Sequence, residues 1–250
     1  MVSKNGMANA PRNQEYRFLR PVKIVETADR LATRIYERFP ESSLYRICCQ
    51  LKSVAAQAEE RSIDLARPYL TLRIALWLSV LTILAVAVAG VTNLDLQGGG
   101  MQVPEFVEML EAGMNATVLA GAAIFFLMTL ENRHKRRKAL VAIDELRAIA
   151  HIIDMHQLTK DPERVGRQKR RTDSSPESRL TGFELARYLD YCTEMLSITG
   201  KVAALFVQRF RDPVVMAATN EVEQLCTGLS QKIWQKIMIL QQAPDYEVPG

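Results

Sequence analysis

Two stretches of this 250-residue chain contain no charged residue at all, Ile74 to Leu94 and Ala112 to Leu130. Across residues 70–130 the only basic residue is Arg73, set against Asp95, Glu105, Glu108 and Glu111, although the whole chain carries a net charge of +4. A soluble domain distributes its charges more evenly, so this clearance excludes an ordinary water-facing surface for that zone. Glycine and proline are also scarce, at 12 and 10 residues. With Leu, Ala, Glu, Gln, Arg and Met prominent, the composition favours helices, and no segment reads as a strand. The cysteines are few as well: Cys48, Cys49, Cys192 and Cys226, none at C-x-x-C spacing, which excludes a zinc or dithiol redox motif. They read as small buried apolar residues. Residues 1–20 lack an apolar core, so no cleavable signal peptide is expected.

What is present in the cleared zone is two apolar runs long enough to span a bilayer. A hydrocarbon core of about 30 Å takes roughly 20 helical residues, and the runs hold 21 and 19. Both are apolar all round and not along one stripe, the pattern of a lipid-facing helix. After the second run comes a basic cluster, Arg133, Lys135, Arg136, Arg137 and Lys138, while Arg61, Arg67 and Arg73 precede the first. The connection 95–111 has no Lys or Arg. Positive charge is retained on the cytoplasmic side, so both termini are expected there and the acidic connection outside. Within that connection Gly98-Gly99-Gly100 reads as a turn, and Pro104 as the start of a short helix lying on the membrane surface.

The second run carries Ala112, Ala116 and Ala120 at four-residue spacing, flanked by Gly113, Thr117 and Gly121. Small residues in this register let apolar helices approach closely, either against the first span or against neighbouring subunits. Neither run contains an ionisable residue, which argues against proton- or ion-coupled transport.

Helical periodicity governs the flanks. Val25, Ala28, Leu31, Ile35 and Phe39 mark one face of a helix over 22–39, and Leu44, Cys48, Leu51, Ala55 and Ala58 mark another over 42–66. Leu140, Ile143, Leu146, Ile149 and Ile153 continue a helix beyond the second span to about residue 157. Residues 159–179 hold seven basic and four acidic residues with two prolines, a solvated linker; its basic cluster could also meet anionic lipid. It lacks interleaved aromatics, so nucleic acid is not expected as a partner. Beyond it, Phe183 to Phe210 and a segment opened by Asp212-Pro213 form an antiparallel helix pair. The second of these repeats apolar residues over more than three heptads in coiled-coil fashion, and Val222, Leu225, Leu229 and Ile233 form its candidate assembly face.

One constellation invites a metal-site reading: His151 and Asp154 share a helix face. His156, about 140° round from His151, cannot join them while the helix continues. No apolar face supplies the inward glutamates of a di-metal bundle. No nucleophile elbow or phosphate-binding glycine loop is present either. Accordingly no catalytic residue, metal or cofactor is expected. A hydrogen-bonded His–Asp pair steadying the helix end is the expected use.

The expected architecture is an all-α membrane protein. It comprises an N-terminal tail (1–21), cytoplasmic helices (22–69), a two-span transmembrane helical hairpin (70–131, spans 74–94 and 112–130), a juxtamembrane helix (132–158), a basic linker (159–179) and a cytoplasmic helix pair (180–242). In layout, though in no residue motif, this resembles the two-span membrane effectors of bacterial immunity systems, and the resemblance implies no site residue. The expected function is a membrane protein that oligomerises through its cytoplasmic helices and hairpin, as an effector, pore or anchored assembly in the cell (inner) membrane. Its partners would be the lipid bilayer and further copies of itself. The alternative is a monomeric membrane scaffold that recruits a soluble cytoplasmic protein through its C-terminal helix pair.

Overall fold

The computed structural model describes residues 18–66, 74, 77–85, 88, 103–160, 162 and 180–242. Among these every long element is an α-helix and no strand occurs. The named helices are α1 (Pro21–Arg38), α2 (Ser43–Ala66), α3 (Val103–Leu158), α4 (Gly182–Arg209) and α5 (Pro213–Gln241). The residues 77–85 are helical too. Most of the linker 159–179, the tail before residue 18, and the triple glycine lie outside the described residues, as do 67–73 and 89–102.

Sequence sets the helix ends. Pro21 and Pro213 occupy first-turn positions, where a missing N–H costs nothing. Asp212 caps α5, its carboxylate accepting from the Val214 and Val215 amides at 2.9 and 3.3 Å. Thr181 and Glu184 form a reciprocal capping box at the start of α4.

α3 is where the architecture departs from expectation. Residues 103–158 form one uninterrupted helix of 56 residues, so the short helix expected from Pro104 is not separate but joins the apolar run 112–130 and its expected continuation to about residue 157. Pro104 sits in the first turn, and no proline follows before Leu158. Gly113 and Gly121 each cost only about 1 kcal/mol of helix propensity, too little to break it.

The chain divides into two compact units, Met1–Ala66 with Lys138–Gly250, and Arg67–Arg137. The first is a helical bundle centred on α4, which packs most extensively on α5 and also on α1 and α2; α1 in turn packs on α2. Its core takes Ala28, Leu31 and Ile35 from α1, Leu44, Cys48 and Leu51 from α2, and Leu189, Cys192, Met195 and Phe206 from α4. Ile143, Leu146 and Ile153 of α3 are fully buried there, and Val222, Ile233 and Leu240 come from α5. The apolar faces read from periodicity are the buried faces, with Ile24 more deeply buried than its neighbour Val25. Ion pairs fasten the C-terminal part of α3 on two sides: Glu145 accepts from Arg61 of α2 at 2.9 Å, and Glu221 of α5 accepts from Arg147 at 2.7 Å.

Candidate membrane segment and interhelical groove

In the unit Arg67–Arg137 the notable feature is what α3 leaves uncovered. Among the described residues the stretch Leu110–Leu158 alone is long and apolar enough to cross a membrane, and none of its apolar part is buried. Val118, Leu119 and Phe125 are 70%, 71% and 73% exposed. Contiguous apolar exposure on this scale is far beyond what a water-facing surface tolerates. The hydroxyls of the segment are satisfied within their own helix: Thr117 donates to the Gly113 carbonyl and Thr129 to that of Phe125, both at 2.8 Å. Thr82, in the helical stretch 77–85, does the same to Leu78 at 2.8 Å. Such bonds leave no hydroxyl needing water, as a hydrocarbon environment requires.

The small-residue seam divides into two stripes. Ala116 and Ala120, with Ile124, line an apolar cleft of about 300 Å³ whose other wall is Ser79, Val80 and Ile83. Ala112, Gly113 and Gly121 are exposed, and a methyl group placed on either glycine would meet nothing within 4 Å. Ala116 and Ala120 thus face the chain's own neighbouring segment, while Ala112 and the two glycines face outward.

The basic cluster is also divided. Arg133, Arg137 and Lys138 are exposed and Arg136 is half-buried, but Lys135 is only 8% exposed and pairs with Glu131 one turn earlier at 2.8 Å. The i,i+4 spacing of Glu and Lys was visible in the sequence; which cation would turn inward was not.

In the helical bundle the candidate assembly face is used internally. Val222, Leu229 and Ile233 are buried in the core and Leu225 is half-buried against it. Other apolar side chains of α5 remain outside, notably Trp234 at 58% exposure, with Met238 and Ile239 beside it. Trp234 stands on the wall of a groove of about 980 Å³ bounded by α1, α4 and α5. Buried Ile24, Ile198 and Ile237 form its base, and the exposed Phe18 and Leu19 form its rim near the start of α1. Leu19 is held there by a reciprocal amide contact, its N–H donating to Gln208 Oε1 at 2.9 Å and its carbonyl accepting from Gln208 Nε2 at 3.3 Å. Periodicity did not reveal this groove, because it depends on how three helices pack.

The charges along the groove are mostly matched inside the bundle. Glu194 receives both guanidinium nitrogens of Arg34, at 2.8 and 3.0 Å, and this bond raises the Arg34 pKa. Asp190 accepts from Arg187 at 3.0 Å, whereas Lys201 donates only to Ser197 of its own helix. Lys23, also on the groove lining, pairs with Glu26 one turn later at 2.8 Å.

The expected His–Asp pair does not form. Asp154 accepts instead from Gln157 Nε2 at 2.6 Å, His156 Nδ1 lies 2.9 Å from the Ile152 carbonyl, and His151 is exposed. Among the described residues no three His, Cys, Asp or Glu side chains gather as a metal set. The free thiols of Cys48, Cys192 and Cys226 are buried, and burial pushes them up to about 12, 12 and 11. They behave as core atoms and not as nucleophiles. No protein-family description, curated protein or solved structure matches this chain, so its own residues carry the functional reading.

Proposed function

We propose that this chain is an integral membrane protein crossing the bilayer twice as a helical hairpin, with both termini in the cytoplasm, and that it self-associates as a membrane effector, pore or anchored assembly. The observation that carries the reading is the apolar window of α3, none of which is buried and whose Val118, Leu119 and Phe125 stand largely exposed. Lipid is the solvent that suits them. The exposed Arg133, Arg137 and Lys138 at its end suit anionic headgroups and favour that end on the cytoplasmic side. The outward stripe Gly113, Thr117, Gly121 suits close helix contact with another copy. No catalytic step is part of this reading.

Two measurements test it. The protein should remain in the membrane pellet after alkaline carbonate washing. In intact cells a membrane-impermeant maleimide should label Gly99→Cys but not Ser175→Cys. Extraction by carbonate, or labelling of both positions, would overturn the topology.

The groove favours a second reading, a membrane-anchored scaffold that recruits a soluble cytoplasmic protein. Since Val222, Leu229 and Ile233 are spent in the core, recruitment would use the Trp234 wall and not that face. A protein that stays monomeric in mild detergent, and loses a captured partner on Trp234→Ala, would favour this scaffold.

A further inference from the structure

The cations that follow the apolar window of α3 are not equivalent. Lys135 turns inward to Glu131, and Arg136 and Lys138 are engaged by contacts of their own. Arg133 and Arg137 are exposed, and among the described residues no acid meets either. The sequence supplies the reason: no position three or four residues from either arginine is an Asp or Glu, whereas Lys135 has Glu131 at that spacing. The two guanidiniums stand one turn apart on the same side, about 6 Å along the helix. Like charges at this spacing destabilise a helix unless an anion joins them. That side of α3 continues into the apolar window. Leu119, Phe126 and Leu130 precede Arg133 and Arg137 at intervals of seven, four, three and four residues, so all five lie within about 60° of one another. The three apolar side chains are 71%, 65% and 45% exposed. From Leu119 to Leu130 the helix rises about 16 Å, close to one leaflet, half of a hydrocarbon core of about 30 Å. An apolar strip one leaflet long thus ends in two cations, the complement of an acyl chain ending in a phosphate.

We propose that Arg133 and Arg137 together bind the phosphate of one anionic phospholipid, whose acyl chain lies along Leu130, Phe126 and Leu119. This rests on the bilayer reading above and names a ligand for it. The guanidinium is the suited group, because its planar fork donates two parallel hydrogen bonds to phosphate oxygens. A zwitterionic lipid carries an ammonium that offsets its own phosphate, so the two arginines select a headgroup with net negative charge.

The test titrates the full-length protein in mild detergent with phosphatidylglycerol or phosphatidylcholine and counts bound lipids by native mass spectrometry. The wild type should hold one phosphatidylglycerol about tenfold more tightly than phosphatidylcholine, the scale expected of two interfacial cations. Arg133→Gln with Arg137→Gln should bring the two lipids to near parity. Arg209→Gln with Arg211→Gln removes the same charge from exposed positions of the bundle and should leave the preference unchanged. Circular dichroism checks that both variants keep the wild-type helical content. Excess inorganic phosphate should not displace the lipid, since it lacks the chain that meets the apolar strip. A wild type without the preference, a double variant that keeps it, or an equal loss in the bundle variant would overturn the site. Displacement by inorganic phosphate would overturn the assignment to a lipid. A protein that carbonate extracts from membranes would overturn the bilayer reading itself, whereas one that stays in the pellet without the preference loses only this site.

Discussion

Lys236 of α5 donates to Gln157 twice, to its backbone carbonyl at 3.0 Å and to its Oε1 at 2.7 Å, closing the C-terminal end of α3 onto the bundle. A third bond runs to the Lys160 carbonyl at 3.3 Å. The last carbonyls of a helix have no intrahelical donor, and a cation there also meets the negative end of the helix dipole. Gln157 is held in place in turn by its bond to Asp154.

Lys236→Met is therefore expected to destabilise the bundle by about 1–3 kcal/mol, the range for a charge-assisted bond to a partly buried acceptor. Urea unfolding of the solubilised protein measures it. Lys236→Arg should recover part of the loss, and no change in the urea midpoint on Lys236→Met would remove the lysine from the closure of α3.

At the opposite end of the linker, Thr181 and Glu184 cap α4 reciprocally, Glu184 N–H donating to Thr181 Oγ1 at 3.2 Å and Thr181 N–H to Glu184 Oε2 at 2.9 Å. Thr181→Ala should cost about 1 kcal/mol, read from the same unfolding curves. Thr181→Ser should be close to neutral.

The buried thiols set an alkaline limit. Their folded pKa values lie above the ordinary thiol value, with burial the first cause for Cys48, Cys192 and Cys226. Above about pH 9 the unfolded chain has released these protons while the folded chain keeps them, so stability is intact below pH 9 and falls as pH rises towards the folded values of about 11–12. The slope is about 1.4 kcal/mol per pH unit for each thiol. Urea midpoints from pH 8 to pH 11 should decline accordingly, and Cys192→Ala should make the decline shallower. An unchanged slope in that variant would show that the Cys192 thiol does not titrate as its burial requires. At neutral pH the half-buried Cys49 should react with maleimide before the other three.

Along the apolar stretch of α3, Gly121 and Ala120 separate two kinds of contact. A side chain at Gly121 meets nothing in its own chain, whereas Ala120 lines the cleft with Val80 and Ile83. Gly121→Leu should leave thermal unfolding of the protomer unchanged while lowering the detergent-corrected mass. Ala120→Leu should shift the unfolding itself by about 1–3 kcal/mol as the cleft repacks. A mass unaffected by Gly121→Leu would exclude the glycine stripe from assembly.

Helix positions and their buried faces were legible from residue spacing alone. The contact between a helix and its core is set by which residues are apolar at three-and-four intervals, as at Leu44, Cys48 and Leu51 or at Leu189, Cys192 and Leu196. The apolar character of 112–130 was equally legible, because it depends only on composition along the chain. Spacing also foretold the Asp212-Pro213 start of α5. It did not foretell that α3 runs unbroken from residue 103, since propensity near Pro104 permits either a short surface helix or the first turn of a long one.

The tertiary structure decided which neighbour each face met. Val222, Leu229 and Ile233 could have served another subunit, but α4 lies close enough to bury them, and Trp234 is left outside because the helix turns it away from that contact. Lys135 turns to Glu131 while Arg133 and Arg137 stay exposed, and Asp154 takes Gln157 in place of His151. The groove over Ile24, Ile198 and Ile237 joins residues more than 170 positions apart. Local spacing determines where a helix buries its surface; the concave surfaces between helices, and the partner each polar group chooses, arise only from the distances that packing sets.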